Sequence, residues 1–260
     1  MPDELVPLVY IPARRGSLQV EMQAAPRKYQ RLAYALSPNL DAILAELSAG
    51  RPVLVLHNYG VPFFPRWHYA VVVGFDAAND TVVLRSGVTR RQVLSAKNFM
   101  RAWDNGGRWA LVLLRPGETA ATANPTRYLE AAAAFERVSD AVQTLKVFDA
   151  AVERWPNEPV AWIGRGTAGY RAGDLKAAAQ DYSAALRVDP NNVGARNNLA
   201  QALLDLGCPA RAQAELTRID FTILKSPLKE IVLDTRQHVD SKVAETAAPT
   251  DLVGCSGLAE

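Results

Sequence analysis

Two segments of this 260-residue chain, 159–192 and 193–219, carry one pattern at an offset of 34 positions. Trp162 falls opposite Arg196, Ala168 opposite Ala202, Gly173 opposite Gly207, Ala178 opposite Ala212 and Tyr182 opposite Leu216. A fainter third copy lies upstream, where Ala132, Phe135, Phe148, Ala151 and Pro156 take the slots of Gly166, Gly169, Tyr182, Ala185 and Pro190. A fixed period of this length predicts stacked helix–turn–helix units, because a lone unit cannot bury its own apolar face. Small residues such as Gly166, Ala178 and Ala185 let two helices approach, while Trp162 and Tyr182 fill the space between repeats. Asp189, Pro190, Asn191 and Asn192 stop one helix and open the next, since proline cannot continue a helix and asparagine caps well. This half of the chain reads as a surface for holding another protein.

The residues Trp162, Gly166, Tyr170, Ala178, Tyr182, Ala185 and Pro190, with Gly173 and Asp174 at the inter-helix turn, resemble the tetratricopeptide repeat. Departures are Gly169 where an aromatic is usual, Arg196 in place of the tryptophan, and Cys208 and Pro209 at the second turn. About three repeats make a stable stack, so a short array of three over 126–220 is expected, closed by a capping helix within 221–245.

Composition sets further bounds. A hydrophobic fraction of 49% is ordinary for a globular protein, and a net charge of +2 is too small to argue for nucleic acid or an anionic membrane. The two cysteines, Cys208 and Cys255, have neither metal-ligand nor disulfide-framework spacing. Cys208 reads as a small turn residue, and Cys255 lies in a small-residue tail, 246–260, expected to be flexible. No apolar run is long enough to cross a bilayer, and Met1, Pro2, Asp3 and Glu4 do not open a signal peptide. The chain as written is therefore expected to be soluble and cytoplasmic, with the cell envelope as its setting if an export signal lies upstream. No glycine-rich phosphate loop, acidic metal cluster or dinucleotide fingerprint occurs, so neither cofactor nor metal is expected.

A first domain over 1–116 precedes the repeats, separated by a linker, 117–125, of small residues ending in proline. Residues 37–50 predict a helix, with Ser37 as its cap, Pro38 in the first turn, Leu40, Ile43, Leu44 and Leu47 on one face, and Gly50 ending it. Apolar, β-branched runs at 52–57, 68–75, 81–85 and 109–114 predict strands, with a hairpin loop at 76–80 and a short helix at 96–103. Gly16, Ser17, Glu21 and Met22 read as another helix start capped by Ser17. This pattern predicts an α+β domain with an antiparallel sheet. The suggestive residue is His68, which opens an apolar strand directly after a loop rich in proline and aromatics. Taken alone, such a histidine caps or packs the strand start.

Its context changes that weighing. The order of Tyr10-Ile11-Pro12, Gly16-Ser17-Leu18-Gln19, the 40–47 helix, the 52–56 strand, Trp67-His68-Tyr69 with its strand, and 99–103 resembles papain-like cysteine peptidases. The likeness is to those that process bacteriocin leaders at double-glycine sites, and to bacterial proteins that join such a domain to C-terminal tetratricopeptide repeats. It implies a partial papain-like fold over the first domain and a general-base role for His68. It also implies a nucleophilic cysteine opening an earlier helix behind a glutamine, and no cysteine precedes His68 here; the sequence is expected to begin after that segment. The acid that orients the histidine falls at Ser86, which can hydrogen-bond the imidazole but brings no negative charge.

Other groups carry less. His57 and Asn58 could line the same cleft but read more simply as loop caps, and His238 falls in the capping helix. Arg14, Arg15, Arg90, Arg91 and Arg101 read as solvated charges. Two functions follow: a cysteine-peptidase-lineage protein, inactive as this polypeptide, whose repeats bind a protein or peptide; or a non-catalytic scaffold that binds peptides through a degenerate cleft and the repeats.

Overall fold

The computed structural model describes residues 2–14, 16–61, 63–245 and 255, and the chain forms two compact units, Met1–Ser139 and Asp140–Glu260. The first contains α1 (Pro2–Val9), α2 (Gln19–Ala24), β1 (Leu32–Ala35), α3 (Leu40–Ser48), β2 (Val53–Asn58), β3 (Trp67–Asp76), β4 (Thr81–Ser86), β5 (Thr89–Ser95), α4 (Ala96–Asn105), β6 (Ala110–Leu114) and α5 (Pro125–Glu136). Its six strands form one antiparallel sheet in the order β1-β6-β2-β3-β4-β5. This is an α+β unit.

Alternation along the strands sorts the sheet faces. Val53 and Val55 pair with Val72 and Ala70, Val72 pairs with Leu84, and Val53 with Val112; all are buried. His57 falls in the same phase as Val53 and Val55, so it too enters the interior. Helix α4, capped by Ser95, packs there through Phe99, whose ring meets His57 edge-on at 5.2 Å. Trp103 lies behind Phe99, and its indole donates to the Trp109 carbonyl at 2.9 Å.

Several local expectations are corrected. Asn39, not Ser37, caps α3, by accepting from the Ala42 amide at 2.8 Å. Helix α2 begins after Leu18 rather than at Ser17, with no side-chain cap. Strands β1 and β5 and helix α1 have no counterpart in the sequence reading. β1 has four residues, too few for a visible period. β5 is an exposed edge strand whose Arg90 and Arg91 mask its alternation.

The segment expected to be a linker is fastened to the first unit. Ala120 is fully buried, and the buried Glu46 carboxylate accepts from the Ala121 amide at 2.5 Å and from Arg51 at 2.5 Å. The Asn124 amide donates to the Tyr34 hydroxyl at 3.1 Å, and Tyr128 donates to the Glu118 carbonyl at 3.0 Å. Helix α5 packs on β1, and the division between compact units falls after Ser139.

The second unit is helical: α6 (Ala141–Arg154), α7 (Pro159–Arg171), α8 (Leu175–Val188), α9 (Val193–Asp205), α10 (Pro209–Thr217) and α11 (Leu228–Glu245). The 34-residue register recurs in its bonding. Gly173 and Gly207 turn with φ of 85° and 78°, and the Asp174 and Cys208 amides donate back to Gly169 and Leu203 at 3.0 and 2.8 Å. This is the left-handed stop that closes a helix while satisfying its free carbonyls. Asp140 and Asp174 cap their helices at one slot, and Cys208 occupies that slot next without a cap bond.

Cys208 is instead disulfide-bonded to Cys255, and both are buried with Leu203, Val232 and Val239. The spacing of the two cysteines in the sequence does not reveal this bond. The Arg211 side chain also donates to the Cys255 carbonyl. The expected flexibility of 246–260 otherwise concerns residues outside those described.

Candidate functional site

The β2–β3 pairing sets His57 directly across from His68, and Asn58 across from Trp67. Asn58 is buried, and its side-chain oxygen accepts from the Gly60 amide at 2.9 Å and the Arg66 amide at 2.8 Å, closing the loop that leads into His68. On the other side β4 ends at Ser86, whose hydroxyl lies 2.7 Å from His68 Nε2. The structure thus brings His68 and Ser86 together at the start of β3. Nδ1 is the ring nitrogen not engaged by Ser86.

His68 lines a cleft of about 1180 Å³ together with Ser17, Gln19, Trp67, Asn105 and Gly106. Tyr69 forms part of its wall: its hydroxyl reaches the Ser17 carbonyl at 3.5 Å and its ring meets Trp109 edge-on. Burial first, then the nearby Glu21 charge, pushes the Tyr69 phenol up to about 12, so it remains a hydrogen-bond donor at neutral pH.

His57 is fully buried, not a loop cap. Its Nδ1 lies 2.8 Å from the Tyr59 hydroxyl, while Nε2 has no hydrogen-bond partner among the described residues. Burial, with the His68 charge adding to it, lowers its pKa to about 4. A neutral imidazole is the form this pocket accepts. The signal for its burial was available in its phase with Val53 and Val55.

His238 stands exposed on α11, 3.6 Å from Asp234. Arg90, Arg91 and Arg101 are exposed. Arg14 has a described backbone only, and Arg15 lies outside the described residues. Cys208 and Cys255, bonded to each other, leave this polypeptide without a free thiol.

In the second unit, Tyr182 is buried against Gly166, and Phe148 against Gly164. Trp162 donates from its indole to the Pro156 carbonyl at 2.8 Å. Arg196, one period later, donates to the Pro190 carbonyl at 2.5 Å, so the guanidinium fills the hydrogen-bonding role of the ring it replaces. It is also paired with Glu215 at 2.7 Å. Arg165 joins α7 to α8 through Asp181 at 2.5 Å and lies over the Trp162 ring. Tyr170 donates to the Asp205 carboxylate, which, ahead of burial, raises its phenol to about 12.

Residues 170–226 match the family model described as tetratricopeptide repeat. The repeat register seen in the bonding and this match agree. The C-terminal unit carries tetratricopeptide repeats, a fold that serves protein–protein binding. No curated protein matches the chain. No helix among the described residues is long and apolar enough to cross a membrane.

Proposed function

We propose that this protein is a cysteine-peptidase-like cleft joined to a protein-binding repeat array, and that as this polypeptide it binds without cutting. The observation that carries the reading is the His68 Nε2–Ser86 Oγ approach of 2.7 Å, with His68 lining a cleft. A general base needs one ring nitrogen held by an orienting partner and the other left for proton transfer, which the Ser86 contact supplies. Ser86 orients without charge, so it stabilises an imidazolium less than an aspartate does. The nucleophile is the missing part. Both cysteines are consumed in the Cys208–Cys255 bond, and a thiol works in acyl transfer only as a thiolate beside a base.

The lineage rests on the resemblance in the order of sequence segments around His68, and the binding role on the repeats. A second reading is a non-catalytic scaffold that binds peptides through a degenerate cleft and the repeats. An apolar hollow lined by Leu5, Val9, Met22, Leu54 and Leu113 adds to it, being suited to hold an apolar or helical peptide segment. Because disulfides persist in oxidising compartments, the cell envelope is the setting that suits the folded chain.

The test is a thiol-directed active-site probe applied to the oxidised protein and to His68→Ala. No His68-dependent labelling is expected. Labelling that disappears in His68→Ala would show a reactive nucleophile and overturn the inactive reading.

A further inference from the structure

The net charge of +2 conceals an asymmetry within the first unit. One end of the sheet gathers the β2–β3 loop and the β4–β5 turn, since Asn58 pairs with Trp67 and Ser86 with Thr89. At that end Phe63 is 89% exposed, Phe64 78% and Trp67 57%, and Val88 at the tip of the turn is fully exposed. Around them stand Arg66, Arg85, Arg90 and Arg91, all exposed, and residues 58–69 and 84–95 contain no Asp or Glu. The opposite end of β3 and β4 carries Asp76 and Asp80.

The aromatic loop is held in shape. Asn58 accepts from Gly60 and Arg66, the Tyr59 amide donates to the Arg66 carbonyl at 3.0 Å, and the Phe64 amide donates to the Val61 carbonyl at 3.0 Å. A Cβ on Gly60 would stand 2.1 Å from the Phe64 carbonyl oxygen, so only glycine allows this close approach. Two phenylalanines fixed outward in water lose hydrophobic free energy that burial against a partner recovers.

We propose that this apex docks onto the interface of a phospholipid leaflet that carries anionic headgroups. Phe63, Phe64 and Val88 enter the acyl boundary, Trp67 and Tyr59 sit at headgroup depth where such rings concentrate, and the four arginines meet lipid phosphates. The absence of carboxylates from both segments favours an anionic lipid surface over a protein contact, which ordinarily mixes both charge signs. The tips also protrude, whereas an extended peptide is held in a groove. This inference stands apart from the catalytic reading of His68 and from the repeats.

The experiment uses the full oxidised chain in vesicle co-sedimentation, with phosphatidylcholine alone and with a 3:1 mixture of phosphatidylcholine and phosphatidylglycerol. Partition onto the mixed vesicles is expected, weakening at 0.5 M NaCl as screening removes the charge attraction. At about fivefold for each basic side chain at a charged surface, Arg90→Gln with Arg91→Gln should lower that partition roughly 25-fold. Phe63→Ser with Phe64→Ser should lower partition at least tenfold on the mixed vesicles. All four side chains are exposed, so unchanged circular dichroism and Tm are expected for both variants. No partition onto the mixed vesicles, or partition indifferent to either double substitution, would overturn the proposal. So would self-association without vesicle binding that Phe63→Ser with Phe64→Ser dissolves, since it assigns the patch to a protein contact.

Discussion

Acid should loosen the first unit through His57. The ring is fully buried, with Phe99 against one edge, the Tyr59 hydroxyl at Nδ1, His68 across the strand pair, and no partner for Nε2 among the described residues. Its folded pKa of about 4 lies below the ordinary 6.5. Between these values the unfolded chain takes up a proton that the folded chain refuses. Stability is therefore fully present above pH 6.5 and is lost as pH falls toward 4. The interval corresponds to roughly 3 kcal/mol in full, and about 2 kcal/mol is already gone at pH 5. The assay is urea unfolding followed by tryptophan fluorescence at pH 7.5 and pH 5, on the native chain and on His57→Asn. The variant leaves a gap beside Phe99, so it should be less stable at pH 7.5. It should nonetheless lose about 2 kcal/mol less than the native chain between the two pH values, because other titrating groups cancel in the comparison. Equal acid losses in the two proteins would refute the account of His57.

Two further predictions concern the repeats. A Cβ at Gly164 would stand 2.1 Å from Phe148, which is itself buried, whereas a Cβ at Gly169 meets nothing closer than 3.8 Å. Gly164→Ala should therefore destabilise by about 1–2 kcal/mol through overpacking, while Gly169→Ala should stabilise by about 0.5–1 kcal/mol through helix propensity and lost unfolded-state freedom. Thermal unfolding reads both, and the same sign for the two would contradict the packing described. Breaking the Cys208–Cys255 link, which spans 47 positions, should cost roughly 4 kcal/mol on loop-entropy grounds, seen as a lower Tm in dithiothreitol that is absent in Cys255→Ser.

Much of the second unit was readable because its constraints recur in the chain. Gly173 and Gly207, Asp140 and Asp174, and Pro156 and Pro190 each hold one backbone duty at a fixed interval. Arg196 looked like a defect only while the tryptophan slot was read as hydrophobic bulk. The slot also requires a donor to the preceding proline carbonyl, and a guanidinium meets that requirement. The disulfide was not readable from spacing, because the return of Cys255 to α9–α11 is a tertiary event. Its trace was Cys208 in the slot where Asp140 and Asp174 cap their helices.

In the first unit the strong apolar strands declared themselves, and their hairpin phase carries His68 toward Ser86. What failed were features with weak periodicity. β5 is polar on its exposed sides, β1 is short, and residues 117–124 are held by hydrogen bonds that Glu46 and Tyr34 accept and Tyr128 donates, which composition does not reveal. His57 was misjudged by its place at a strand end, although alternation from Val53 assigned it to the interior.

The account as a whole turns on whether the His68–Ser86 cleft does chemistry in this polypeptide. The direct measurement is a mass-spectrometric time course of a double-glycine leader peptide incubated with the full chain, with and without reductant, beside His68→Ala. The account predicts an intact peptide throughout, in oxidised and reduced protein alike, because no thiol stands activated by His68. Cleavage at the double glycine by the native chain, abolished in His68→Ala, would contradict it.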